Sequence, residues 1–192
     1  TDVLGHLIEV LTGKPLYQVF DELIFQPLNM NDTCFEVPVD KVSKFCSLYT
    51  RTSAESLKRL ENAKDSRFCE NVKMYSGGGG LISSMQDYLV FLEMIRCGGQ
   101  YNNARVLGRK TVELMLRNHL PGDMASMGQP TFSEMPMAGI GFGLGGAILL
   151  DPAKAQILGS EGEFTWGGMA STAFWIDPME EITVVFMTQL IP

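Results

Sequence analysis

The pattern of the chain changes at residue 140, and that change restricts the fold more than any other feature. Before it, apolar residues recur at helical spacing or give way to loop-like stretches. After it, Ile140–Leu150, Ala155–Leu158, Ala170–Ile176 and Ile182–Gln189 read as strands. The last two are joined by Asp177-Pro178-Met179-Glu180-Glu181, a good turn. Helices first and hairpin-connected strands afterwards predict a mixed α/β domain, an antiparallel sheet with flanking helices. Ile182-Thr183-Val184-Val185-Phe186-Met187 is apolar on both faces, which predicts a strand inside a sheet covered on both sides. At 192 residues the chain reads as one domain, mainly helix and loop over 1–139 and antiparallel strands over 140–192.

Val3, Leu4, Leu7, Ile8 and Leu11 form an apolar stripe at helical spacing, and Gly13 is placed to end that helix. Pro15 suits the first turn of a second helix, with Leu16, Val19, Phe20, Leu23 and Ile24 on its buried face and Pro27 closing it. Residues 31–74 show no sustained period and suggest one short helix near Ala54–Leu60. Ser76-Gly77-Gly78-Gly79-Gly80 reads as a loop. Ser84 and Asp87 form a capping-box pattern before an amphipathic helix through Met85, Tyr88, Leu89, Leu92 and Ile95, which Gly98-Gly99 stops. A shorter helix starts near Arg109. Residues 119–139, rich in Pro, Gly, Met and Ser, read as a surface loop; the alternative is a rim that adapts to apolar substrates through Met124, Met127, Met135 and Met137.

Net charge is −7, from 15 basic and 22 acidic residues, and Lys and Arg are scattered among acids. That argues against a nucleic-acid partner. No stretch approaches the roughly 18 uncharged apolar residues of a membrane helix. Cys34, Cys46, Cys69 and Cys97 lie far apart, without a Cys-x-x-Cys pair, and read as free, mostly buried thiols. They mildly favour a reducing, cytoplasmic compartment.

Two motifs invite chemistry and decline it. Gly141-Phe142-Gly143-Leu144-Gly145-Gly146 satisfies G-x-G-x-x-G, but more strand follows where a dinucleotide site needs a helix. A Gly-rich strand that bends is the better reading. His6 and Glu9 form H-x-x-E, and the only other histidine, His119, stands in or beside a loop, so no metal or cofactor is expected. No serine sits in a G-x-S-x-G elbow. The strongest local signal is Phe164-Thr165-Trp166-Gly167-Gly168-Met169, where a bulky residue and two glycines would let a substrate approach the backbone. A β-bulge with a packed Trp explains the same residues.

Taken together, Asp2–Gly5, Pro27–Thr33, Ser76–Ser84 and Trp166–Gly168 resemble stretches of family VIII carboxylesterases and class C β-lactamases. Asp2-Val3-Leu4-Gly5 with Glu9 and Thr12-Gly13-Lys14-Pro15-Leu16 is similar to the helix after their active-site tyrosine. Pro27-Leu28-Asn29-Met30-Asn31-Asp32-Thr33 resembles their Pro-Leu-Gly-Met-x-Asp-Thr turn, with Asn29 in place of Gly. Ser76–Ser84 with Asp87-Tyr88 and Phe91-Leu92 matches a further segment and its helix. Trp166-Gly167-Gly168 resembles the esterase counterpart of the β-lactamase Lys-Thr-Gly, and Phe174–Pro178 and Met187-Thr188-Gln189 continue the match. Only residues 35–73 fall outside it.

The resemblance implies a β-lactamase/transpeptidase-like fold, incomplete at both ends, and a serine nucleophile in Ser-x-x-Lys. No lysine here has a serine three residues before it. The nucleophile, its lysine and the family's tyrosine are therefore expected in a missing N-terminal segment. Trp166, Gly167 and Gly168 would bind substrate, and the backbone N–H of Met169 would act catalytically as second oxyanion donor. The implied substrate is a small ester and the route an acyl-enzyme, with the 192-residue chain inactive by itself. Trp166 in place of a lysine counts against β-lactamase or penicillin-binding peptidase activity. A non-catalytic binding or scaffold member of the same fold is the alternative.

Overall fold

The structure is a computed structural model and describes residues 1–53, 56–70, 72–132 and 135–191. In chain order the elements are α1 (Asp2–Thr12), α2 (Leu16–Phe20), a π-helical turn (Asp21–Phe25) and α3 (Gln26–Leu28). The hairpin β1 (Leu48–Ser53) and β2 (Ser56–Glu61) precedes α4 (Met85–Arg96), β3 (Gln100–Tyr101), β4 (Ala104–Arg105) and α5 (Arg109–Met115). Then come β5 (Thr131–Phe132), β6 (Met135–Pro136), β7 (Ile140–Phe142), β8 (Ala147–Leu149) and α6 (Pro152–Ala155). Last are β9 (Phe164–Gly167), β10 (Ala173–Asp177), β11 (Ile182–Phe186) and β12 (Leu190–Ile191). No helix among the described residues is long and apolar enough to cross a membrane.

These elements form two compact units, one of residues 1–90, 169–172 and 187–192, the other of 91–168 and 173–186. The first is built on Leu16, Val19, Phe25, Leu28, Met30, Phe35 and Val37, all at most 6% exposed. Phe35 joins Phe20 at 5.9 Å to Tyr75 at 5.3 Å between ring centroids. α1 ends at Gly13 in a left-handed cap, as its sequence predicts. Its apolar stripe does not become its buried face, however: Val3, Leu4, Leu7 and Leu11 are 47–81% exposed. The buried residue of α1 is Gly5, because the glycine loop crosses there, with Gly77 Cα 3.5 Å from where a Gly5 Cβ would stand.

The second helix also departs from its expected face. The π turn adds one residue to the turn, which delays the buried side by one position. Phe25 and Leu28 are buried, whereas Leu23 is 61% exposed. Asn29 then takes φ 55°, ending α3 in the left-handed region where the resembling turns have glycine. Asn tolerates that region better than most side chains.

Ser56–Glu61 is a strand, not the short helix expected near Ala54–Leu60; Ala54 and Glu55 lie outside the described residues. It pairs antiparallel with β1, and β12 pairs with β1 on the other side in parallel, Tyr49 opposite Leu190.

The second unit carries the five-stranded antiparallel sheet, in the order β11-β10-β9-β8-β7. The predicted strand Ile140–Leu150 is a hairpin, β7 and β8, whose turn holds Gly145 at φ 104°. Thus the G-x-G-x-x-G residues link two strands, and Gly146 leaves room for Phe164, whose ring lies 2.5 Å from where its Cβ would stand. Ala155–Leu158 is not a strand: Asp151 caps α6 by accepting from the Lys154 N–H at 3.0 Å, with Pro152 in the first turn. The turn between β10 and β11 forms as expected, Asp177 Oδ1 accepting from Met179 N–H (2.9 Å) and Glu180 N–H (3.1 Å). Among the described residues β11 pairs with β10 alone, and Ile182 and Phe186 are 47% and 55% exposed. All four cysteines are free, and Cys46 and Cys97 are exposed, so the thiols are not mostly buried.

Candidate active site

β9 presents Phe164 and Trp166 on one face, by the two-residue period of a strand. Phe164 is 3% exposed and sits 5.6 Å from Phe174 between ring centroids. Register puts Trp166 opposite Phe174 and Gly167 opposite Ala173, and the Thr165 hydroxyl donates to the Phe174 carbonyl at 2.7 Å. The indole packs against a buried cluster of Met137, Ile140, Ala147, Leu149 and Ala155. Phe142 meets it edge-on at 5.2 Å and 81°, and Phe132 stacks on it at 5.2 Å and 26°. Such offset and edge contacts suit the ring quadrupole and hold the indole in one orientation.

Beyond Trp166 the wall is bare backbone. Gly167 and Gly168 are exposed, and Met169 is 80% exposed. Among the described residues no acceptor takes the Met169 N–H. The following turn is anchored: the Ala170 carbonyl accepts from Leu190 N–H at 3.1 Å and the Thr188 hydroxyl at 2.8 Å. The Ser171 hydroxyl donates to the Leu190 carbonyl at 2.7 Å, with Ser171 at φ 57°.

The described residues of the surface segment 119–139 are held at several points. Asn118 Oδ1 accepts from Phe142 N–H (3.0 Å) and Leu120 N–H (3.1 Å). The Asp123 carboxylate accepts from Gly139 N–H (3.0 Å) and Ser126 N–H (2.8 Å), which hold it at about 2, Gly139 contributing most. Phe132 and Phe142 are the contacts that sequence reading misses. Phe142 was hidden inside a glycine motif; for Phe132 the one available signal was a lone aromatic in a loop of small and polar residues.

The remaining candidates stand apart. His6 Nδ1 is 3.6 Å from Glu9 Oε2, and Glu9 also accepts from Leu16 N–H, so this pair knits two helices. His119 Nε2 lies 2.8 Å from the Leu114 carbonyl. Among the described residues no group of three or more His, Cys, Asp or Glu is placed to hold a metal. An open depression of about 400 Å³ beside Leu158, Glu163, Trp175 and Ile182 adjoins the opposite end of β9 from Gly167.

The fold is that of the β-lactamase-like serine hydrolases. Residues 1–190 match the Beta-lactamase family model, and the chain belongs to that family. It is 31% identical over 199 residues to Protein Rv1367c of Mycobacterium tuberculosis, covering 100% of this chain and 47% of that protein. It is 29% identical to Esterase EstB of Burkholderia gladioli, covering 97% and 47%. The structure of EstCE1, a hydrolase with promiscuous acyltransferase activity, superposes with TM-score 0.81 at 30% identity, over 98% of this chain and 49% of that one. The chain thus spans about half the length of the relatives it matches.

Proposed function

We propose that this chain supplies one wall of the active site of a serine hydrolase that cleaves small or short-chain esters through an acyl-enzyme. The observation that carries the reading is the run Trp166–Met169: a fixed indole, then exposed glycine backbone, then an N–H with no acceptor among the described residues. Trp166, Gly167 and Gly168 line the acyl pocket. The Met169 N–H is the second oxyanion donor, the first being the nucleophile's own N–H. The serine of Ser-x-x-Lys attacks the ester carbonyl, with its lysine and a tyrosine moving the proton, and all three come from outside these 192 residues. An indole offers an apolar face and no cation, which suits a neutral ester better than the carboxylate of a β-lactam. The esterase and hydrolase names of EstB and EstCE1 support the same class.

The test is hydrolysis of p-nitrophenyl butyrate beside a chromogenic cephalosporin, using the full-length product of the gene. Rapid ester turnover with little lactam turnover is the expected result. A folded protein that turns over neither would move the assignment to a non-catalytic binding member of the family. The 192-residue chain by itself is expected to show no turnover above background.

A further inference from the structure

Phe132 is placed by the hairpin β5–β6 so that its ring lies stacked on Trp166, centroids 5.2 Å and planes 26° apart. One face of Phe132 is thereby occupied, yet the residue stays 43% exposed, so its outer face is open to solvent. Its cross-strand partner Met135 stands directly opposite, hence on the same side of the hairpin, and is 54% exposed. The base of the hairpin is firm: Met137 N–H donates to the Pro130 carbonyl at 3.0 Å, and Met137 is buried beside Ile140 and Leu149. Asp123 fastens the same loop at Gly139 and Ser126. The result is an apolar surface one ring wider than Trp166 alone, on an anchored support.

We propose that Phe132 determines acyl-chain specificity: its ring extends the apolar wall of Trp166, and the two receive the methylenes of an ester beyond the acetyl group. This rests on the ester-hydrolase reading above. Contact with methylenes changes how tightly a longer chain is held and leaves the carbonyl chemistry to other groups, so its effect lies in KM more than in kcat.

The test compares kcat/KM for p-nitrophenyl hexanoate and p-nitrophenyl acetate in the full-length protein, Phe132→Ala and Phe132→Tyr. Each methylene buried is worth about fourfold, so Phe132→Ala should lower the hexanoate-to-acetate ratio about fivefold or more, through KM. Phe132→Tyr, which keeps the ring, should restore the ratio. An unchanged ratio in Phe132→Ala, or an equal loss in kcat on both esters, overturns the proposal. A second readout needs no turnover: in protein labelled with 5-fluorotryptophan, the Trp166 fluorine resonance, assigned by Trp166→Phe, is followed while hexan-1-ol is added. A saturable shift weakened about fivefold or more by Phe132→Ala supports the shelf, even where ester turnover is absent and the hydrolase reading fails. No shift, or one indifferent to Phe132, overturns it.

Discussion

The Asp87 carboxylate and the Thr33 hydroxyl, 54 residues apart, meet in a buried hydrogen bond of 2.9 Å. The same oxygen accepts from Asp32 N–H at 2.7 Å, while the Ser84 hydroxyl accepts from Asp87 N–H at 3.2 Å. The capping box before α4 is therefore half formed. Its serine caps the helix as expected, and its acidic partner is diverted to hold the Pro27–Thr33 turn. Two stretches that the sequence presents as separate motifs are one structural device.

Removing that carboxylate takes an acceptor from the buried Thr33 hydroxyl and from the part-buried Asp32 N–H. Asp87→Ala is expected to cost about 1–3 kcal/mol. Urea denaturation measures it, and a midpoint equal to that of the parent would show that the bond contributes nothing.

The four consecutive glycines are not equivalent. A Cβ on Gly80 would stand 2.6 Å from the Ser76 carbonyl oxygen and 2.9 Å from Phe35 Cδ1, whereas one on Gly79 meets nothing within 4 Å. Gly80→Ala is expected to destabilise by about 1–3 kcal/mol and Gly79→Ala to fall within about 0.5 kcal/mol of the parent. Thermal melts of the two variants separate them; equal melting temperatures would contradict the crowding at Gly80.

Asp123 gives a pH signature. Its folded value of about 2 lies below its ordinary 3.8, since the Gly139 and Ser126 N–H groups favour the charged form. A depressed carboxyl stabilises fully above its unfolded value and loses that contribution as pH falls through its folded one. Near-ultraviolet circular dichroism, which senses Trp166, should therefore show the 123–139 loop loosening between about pH 4 and pH 2. Asp123→Asn should abolish that component, and its persistence in the variant would assign it elsewhere.

Glu163 runs the other way. Burial pushes its carboxyl up, and the nearby Asp177 charge adds to the shift. Its ionised form is penalised in the fold, so stability is greater below the unfolded value and falls as pH rises through the folded one. Glu163→Gln should raise the melting temperature at pH 7 and raise it less at pH 4. A gain of the same size at both values would refute an electrostatic origin.

How much of this was readable in the sequence varies with the physics of each element. Gly13, the β10–β11 turn and the α4 helix follow local rules and form where their residues predict. The Leu57–Leu60 pair sits at helical spacing, yet lies in a strand with no buried face, so neither period marks it. The stripe on α1 is a true helical stripe, but which face is buried was decided by Gly77, 72 residues beyond Gly5. The single-residue delay at the π turn is a backbone event that side-chain spacing does not encode. At the candidate site, Trp166 and the glycines were legible as a motif. Phe132 was not, because stacking across a loop depends on tertiary placement and leaves no period in the chain.

The most direct test lies at the Met169 N–H. In the full-length protein, Met169→Pro deletes that donor and Met169→Ala keeps it while removing the same exposed side chain. With both variants folded by circular dichroism, Met169→Pro should hydrolyse p-nitrophenyl butyrate with kcat about 10²–10³-fold below that of Met169→Ala. Equal rates for the two would contradict the assignment of this strand as the oxyanion wall of an ester hydrolase.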